Sequence, residues 1–221
     1  MSNLIKSMAY LGLVAIAACS KSVDQCLEVI PPSDGRPSIL VIGDSISIGW
    51  LGALKNSGAL SKYQVVHNPC NARFSAYTMA RVQSWLEARP QWYAVIYNNG
   101  LWDVADFVGE TYSGYQSNET VITNRINGAT SRPLFLLTTG VPINTPYRLD
   151  AHVAQFNALI QPAIESLGVP VLDLYGPSHS APIVNEHSGD GIVGDVHYTA
   201  QGYTDISNLV LNKLAIQYGI H

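Results

Sequence analysis

The sequence predicts an α/β protein built on a five-stranded parallel sheet covered on both sides by helices. Three observations carry this expectation. Short apolar runs recur along the chain, each stopped by turn residues, as in strands buried on both faces. Between them, apolar residues return at helical spacing. Strand and helix alternate from end to end, which implies parallel strands joined by right-handed crossovers.

The first strand is the plainest: Ser38-Ile39-Leu40-Val41-Ile42 runs apolar and then halts on Gly43-Asp44-Ser45. A helix follows from about Ile46. Tyr63 to His67 reads as the second strand. Met79, Val82 and Leu86, with Trp85 beside them, mark a helix that Pro90 ends. Tyr93 to Tyr97 and Leu134 to Thr138 supply the third and fourth strands. Between these two lie a polar stretch, Asp106 to Asn118, and a helix near Glu119 to Gly128. Val153, Phe156, Ile160, Ile164 and Leu167 define another helix, which Pro162 is expected to kink or split. Val169 to Leu174 is the fifth strand. Tyr203, Ile206, Val210, Leu214 and Tyr218 share one face of the last helix.

A chain of 221 residues, 47% apolar and 13% charged, is long enough for one domain with ample core. Its formal charge of −4 offers no electrostatic footprint for nucleic acid and does not favour polyanionic substrates. Residues 1–19 read as a targeting segment: Lys6 precedes an apolar run, Met8 to Ala18, too short to span a bilayer. The ending Ile16-Ala17-Ala18-Cys19-Ser20 resembles a bacterial lipobox. That likeness implies a lipidated Cys19 as the mature N-terminus, a membrane surface as partner and a place in the bacterial cell envelope, at the outer membrane or its periplasmic face. Residues 20–36, with Pro31-Pro32-Ser33-Asp34-Gly35, have the composition of a tether, leaving 37–221 as the folded domain. Export to an oxidising compartment leaves Cys26 and Cys70 either as a disulfide or as two independent thiols. No C-x-x-C or H-E-x-x-H spacing occurs, so the sequence calls for no metal.

Ser45 stands at the carboxyl end of a strand and at the start of a helix, the edge where open α/β sheets bind ligands. Asp44 and Ser45 are equally well suited to capping that helix. The far end of the chain supplies what a hydroxyl nucleophile needs. Asp195-Val196-His197 offers a base and an acid to orient it, just before the final helix.

With these residues in place the sequence resembles the SGNH, or GDSL, hydrolases: serine esterases and lipases on a flavodoxin-like three-layer α/β/α sandwich. Gly43-Asp44-Ser45 is similar to the family's first block, and His197 with Gly202-Tyr203 to its last. Asn71-Ala72-Arg73-Phe74-Ser75, Asn98-Asn99-Gly100-Leu101-Trp102-Asp103 and Thr138-Thr139-Gly140-Val141-Pro142 fall where its intermediate segments belong. The resemblance spans about residues 36–218. It implies Ser45 as nucleophile, His197 as general base and an acid on the histidine, with no cofactor. Two departures stand out. The family's acid precedes the histidine by three residues, a position held here by Gly194; Asp195 is the favoured substitute, Asp190 or a main-chain carbonyl the alternatives. The family's third-block asparagine is replaced by Trp102.

The oxyanion donors are therefore expected at the Ser45 N–H, at the main chain of Arg73 or Ala72, and at the amide of Asn98, with Asn71 as another source; turn chemistry accounts equally well for Asn98 and Asn99. Arg73 has a second role open to it, contact with a substrate carboxylate or sugar hydroxyl. Asp44, Phe74 and Trp102, with Tyr97 as a further wall, are the pocket residues. Asp44 is expected to orient its turn without entering the bond-breaking steps. His179 and His187 lie in a Pro/Ser/Gly-rich loop positioned to cover the site.

The expectation is an esterase for short acyl groups such as acetyl, carried on a carbohydrate. A lysophospholipase or thioesterase would use the same machinery. A noncatalytic carbohydrate-binding envelope lipoprotein is the reading from a different class.

Overall fold

A computed structural model describes residues 30–221. The targeting segment, Cys19 and Cys26 lie outside the described residues.

Five strands, β1 (Ser38–Ile42), β2 (Gln64–His67), β3 (Ala94–Tyr97), β4 (Pro133–Leu136) and β5 (Val171–Leu172), form one sheet in the order β2-β1-β3-β4-β5. Every pairing is parallel; Leu40 of β1 lies between Val66 and Val95, and Phe135 of β4 pairs with Val171. This is the flavodoxin-like order, in which ligands sit beyond the carboxyl ends of the strands where the winding reverses, between β1 and β3.

Four α-helices connect the strands, α1 (Ser45–Ser57), α2 (Ser75–Leu86), α3 (Tyr112–Ala129) and α4 (Asp150–Ser166), and a short α5 (Tyr175–Ser178) and α6 (Ala200–Tyr218) follow the last strand. α1 packs on α6 against one face; α2, α3 and α4 pack in turn along the other. Ile39, Leu40, Val41 and Ile42 are buried from both sides, as are all of β3 and β4. Burying each such side chain contributes about 1.5–3 kcal/mol, so the strands that end at the site are also the best anchored. Gly49 marks where α1 and α6 approach most closely. A Cβ there would lie 2.2 Å from the Tyr203 ring. That approach brings the start of α1 beside the loop that leads into α6.

The structure corrects three expectations about the elements. α3 begins at Tyr112, inside the stretch expected to be a polar connection, because Thr111 caps it by accepting the Gly114 N–H at 3.0 Å. Its buried stripe is Tyr115, Glu119, Ile122, Thr123 and Ile126, and two polar members hide the periodicity. Pro162 neither ends nor splits α4. Pro162 and Ala158, whose carbonyl loses its helical donor, are both exposed, so water can satisfy the gap. β5 is only two residues long, a half-buried edge.

The chain from Ile30 to Arg36 lies on the domain: Ile30 is buried, Arg89 donates to the Pro31 carbonyl and Gln64 to that of Pro32, both at 2.8 Å. The last part of the segment expected to be a tether is thus fixed to the amino-terminal edge of the sheet, the edge opposite Ser45. Cys70 is disulfide-bonded.

Candidate active site

The turn that follows β1 is built around a glycine. The Gly43 N–H donates to Asn68 Oδ1 at 3.0 Å and its carbonyl accepts from Ala72 N at 2.8 Å, while a Cβ on Gly43 would sit 2.6 Å from Ser47 Oγ. Asp44 caps α1, its Oδ1 accepting the Ile46 N–H at 2.9 Å. Capping therefore falls to Asp44 and leaves the Ser45 side chain out of the cap. Ser45 is the first helical residue, so its N–H has no acceptor within the helix and lies at the positive end of the helix dipole.

His197 is brought to Ser45 by a short antiparallel pairing. His187 pairs with Tyr198, Gly189 N donates to the His197 carbonyl at 3.3 Å, and Thr199 N to that of Glu186 at 2.8 Å. Gly189 is needed there, since a Cβ would fall 2.0 Å from the Tyr198 carbonyl oxygen. Thr199 then caps α6 by accepting the Gly202 N–H, and its own hydroxyl donates to Glu186. His179 and His187 both belong to this side of the molecule. His179 binds Asp150 Oδ2 through Nε2 at 2.9 Å, and the His187 ring packs 4.3 Å from that of Tyr198.

His197 Nε2 lies 2.8 Å from Ser45 Oγ, and His197 Nδ1 lies 2.8 Å from Asp195 Oδ1. The two-residue spacing works because the Asp195 side chain folds back along its own loop, the same Oδ1 also accepting the His197 N–H at 3.2 Å. Asp190 Oδ2 approaches Nδ1 to 3.4 Å from a side chain 66% exposed, against 11% for Asp195. A carboxylate at Nδ1 fixes the tautomer: the proton sits on Nδ1, and Nε2 is free to accept from Ser45. Among the described residues, Asp190, Asp195 and His197 are also the one group of side chains whose donor atoms converge closely enough to hold a metal ion. These are the groups already committed to the imidazole.

The expected oxyanion donors fare unevenly. The Ser45 N–H stands where expected. The Arg73 N–H does not point outward: it donates to Asn71 Oδ1 at 2.8 Å, and Arg73 adopts φ +56°, a left-handed conformation that glycine takes most easily. The Ala72 N–H is taken by Gly43. The Asn98 amide is buried and donates to the Leu136 carbonyl at 2.8 Å, tying β3 to β4. Arg73 and Asn98 thus shape the site from behind. Asn71, whose Oδ1 is occupied, retains its Nδ2 hydrogens on a loop tied to Gly43.

Asp44 lines a small cleft together with Ile46, Trp50, Asn98, Leu101, Thr138, Thr139 and Leu174, with a volume of about 220 Å³ including its open mouth. Burial raises the Asp44 carboxyl above the usual range, opposed by the Ile46 N–H and by the charges of His197 and Arg148; its Oδ2 has no hydrogen-bond partner among the described residues. Phe74 stands before α2 and meets Tyr77 edge-on at 6.1 Å. Tyr97 is no wall of this site: it is buried in the core against Phe135, its hydroxyl bonded to Thr123.

Trp102 is half-exposed and opens a ledge that the sequence reading missed. Its ring meets Phe107 at 6.2 Å, Phe107 meets Tyr147 at 5.9 Å, and the Arg148 guanidinium lies 5.7 Å from Phe107. Phe107 and Tyr147 are each more than half exposed. Arg148 Nε donates to the Leu101 carbonyl at 2.7 Å, which locks the loop after β4 to the loop after β3. The signal available beforehand was only Tyr147-Arg148 in a proline-bounded loop.

No protein-family model matches the sequence, and no curated protein matches it. Solved structures do share its fold. A lipase/acylhydrolase from Enterococcus faecalis is similar with a TM-score of 0.68 and 16% identity, over 80% of this chain and 94% of that one. A GDSL-like lipase from Bacteroides thetaiotaomicron aligns with a TM-score of 0.65 and 16% identity, over 93% of this chain and 97% of that one. A carbohydrate acetylesterase from Sinorhizobium meliloti aligns with a TM-score of 0.65 and 14% identity, over 83% of this chain and its full length. The chain shares the fold of these three structures.

Proposed function

We propose that this chain is a serine esterase that removes short acyl groups, acetyl among them, from a carbohydrate. The observation that carries the reading is the unbroken chain from Ser45 Oγ through His197 to Asp195, at 2.8 Å for each link. Ser45 Oγ attacks the ester carbonyl as Nε2 takes its proton, and the Asp195 carboxylate stabilises the imidazolium without taking the proton itself. The Ser45 N–H faces the oxyanion, with the Asn71 amide as second donor. Collapse breaks the bond to the alcohol, which leaves with the proton from Nε2; water then repeats the sequence on the acyl-Ser45 ester and frees the acid.

Short acyl groups are supported by the likeness in fold to a carbohydrate acetylesterase. The carbohydrate is supported by the exposed rings of Phe107 and Tyr147 beside Trp102, set edge to face, each of which offers a face to a sugar ring. We place the enzyme in the bacterial envelope, held by acyl chains on Cys19; the support is the apolar run Met8 to Ala18 and the Ala17-Ala18-Cys19 that ends it. A second reading, a noncatalytic carbohydrate-binding lipoprotein, draws on the engagement of the Arg73 N–H and the Asn98 amide in structural bonds.

A fluorophosphonate probe and p-nitrophenyl acetate separate the two. The enzyme is labelled and turns over the ester, and Ser45→Ala loses both. A wild-type chain that does neither is a binder.

A further inference from the structure

A second serine–histidine pair lies behind the first. Ser47, buried on the inner side of α1, has its Oγ 2.6 Å from the Asp44 carbonyl oxygen and 2.7 Å from His67 Nε2. His67 Nδ1 is in turn 2.9 Å from the Asn68 carbonyl. The chain therefore has a carbonyl at each end and three gaps to fill with protons. A neutral imidazole and one hydroxyl bring two. Burial pushes the His67 imidazole down to about 4, and the charge of Lys55 on α1 acts in the same direction, so at neutral pH the third proton is missing. The Ser47 hydroxyl donates to the Asp44 carbonyl, the imidazole proton on Nε2 donates to Ser47 Oγ and strengthens that bond, and the gap left without a proton is the one between Nδ1 and the Asn68 carbonyl.

The Asp44 carbonyl is no ordinary acceptor. It belongs to the same planar unit as the Ser45 N–H, and in a trans peptide the two point in opposite directions. Whatever holds that oxygen aims the Ser45 N–H. Ile48 N also donates to it, at 3.1 Å, as the first bond of the helix. A second donor to the same carbonyl narrows its swing and polarises the peptide, strengthening the N–H on its other side.

We propose that Ser47 and His67 are positioning residues for the oxyanion site, holding the Asp44–Ser45 peptide so that the Ser45 N–H faces the charge that develops on the substrate. The inference rests on reading Ser45 as the nucleophile. Neither residue touches substrate. Their effect belongs to the transition state, where the N–H is engaged, and leaves ground-state binding alone.

The test is steady-state kinetics with p-nitrophenyl acetate. Ser47→Ala keeps the Ile48 bond and the helix, and is expected to lower kcat about tenfold, short of the 10²–10³ seen on deleting a donor outright. KM stays within twofold, and the rate of fluorophosphonate labelling falls in step with kcat. His67→Gln lowers kcat in wild type and has no further effect in Ser47→Ala, because both act through one hydroxyl. Should Ser47→Ala fail to fold, His67→Gln alone carries the test through the same kcat-against-KM split. An active wild type whose kcat is unmoved by both substitutions overturns the positioning role and leaves the nucleophile intact. A change in KM alone, or His67 and Ser47 effects that simply add, overturns it too. An inert wild type overturns the reading of Ser45 and this inference with it.

Discussion

Replacing Asp195 by Asn asks which acid orients the imidazole, since two carboxylates face Nδ1. Asp195 makes the 2.8 Å bond from a side chain 11% exposed, whereas Asp190 reaches only 3.4 Å and is 66% exposed. A charge-assisted hydrogen bond of the first kind contributes about 1.5–3 kcal/mol, and a solvated contact of the second kind about 0–1 kcal/mol. At 1.36 kcal/mol per factor of ten, Asp195→Asn should cut kcat/KM by roughly 10- to 150-fold, and Asp190→Asn by no more than about fivefold. The double variant should fall further than the product of the two, approaching the roughly 10⁴ lost when a triad acid is neutralised outright, because Asp190 covers part of the deficit in the single variant. Initial rates with p-nitrophenyl acetate across the four proteins provide the assay. If Asp190→Asn proves the more damaging substitution, or if Asp195→Asn stays within twofold of wild type, the assignment from distance and burial is wrong.

Two further outcomes follow from features away from the bond-making atoms. Trp102→Ala combined with Tyr147→Ala should raise KM for an acetylated oligosaccharide several-fold and leave kcat/KM for p-nitrophenyl acetate within twofold; equal loss on both substrates would remove the ledge from sugar binding. Glu119 is wholly buried, and burial with the nearby Asp103 raises it well above the usual range against the opposing pull of the Asn99 side chain. With its folded value raised, Glu119 favours the fold below its unfolded value and loses that contribution as pH rises toward the folded one. Glu119→Gln should therefore raise the melting temperature at pH 8 and change it little near pH 4, about 2–4 °C for each kcal/mol relieved. A gain at pH 4 as large as that at pH 8 would contradict the account.

Much of the fold was legible because its strands are buried on both faces, which leaves an apolar run that nothing else in a soluble domain demands. Ser38–Ile42 and Ala94–Tyr97 lie within the runs that announced them. α3 was only half legible, since Glu119 and Thr123 occupy its buried stripe and break the pattern that a hydrophobic count detects. At the site, the pairing of Ser45 with His197 was readable from residue type and place in the alternation. The oxyanion donors were not, because a donor's availability depends on which carbonyls stand nearby. Asn98 loses its amide to Leu136, 38 positions away, and Arg73 loses its N–H to Asn71. The ledge was invisible for a related reason: Trp102, Phe107 and Tyr147 meet because the Arg148 side chain and the Asp106 N–H, which donates to the Tyr147 carbonyl, tie two loops together.

These captures bear on how the site is held together. Asn68, Ala72 and Ser47 all bind the Gly43–Asp44 segment, from the end of β2, from the loop after it and from within α1. Asn98 spends its amide on β4, so the ends of β1, β3 and β4 form one cross-bonded rim. A protein that commits so many donors to the rim leaves few for a substrate, and on the proposed mechanism the charge of a tetrahedral intermediate rests on the Ser45 N–H and the Asn71 amide. Rigidity is the compensating property. A well-aimed amide at a helix start, in a peptide whose carbonyl is held twice, loses little to reorganisation when charge appears. The bracing behind Gly43 and the scarcity of donors in front of it are thus two sides of one arrangement, and loosening the brace should harm catalysis more than it harms the fold.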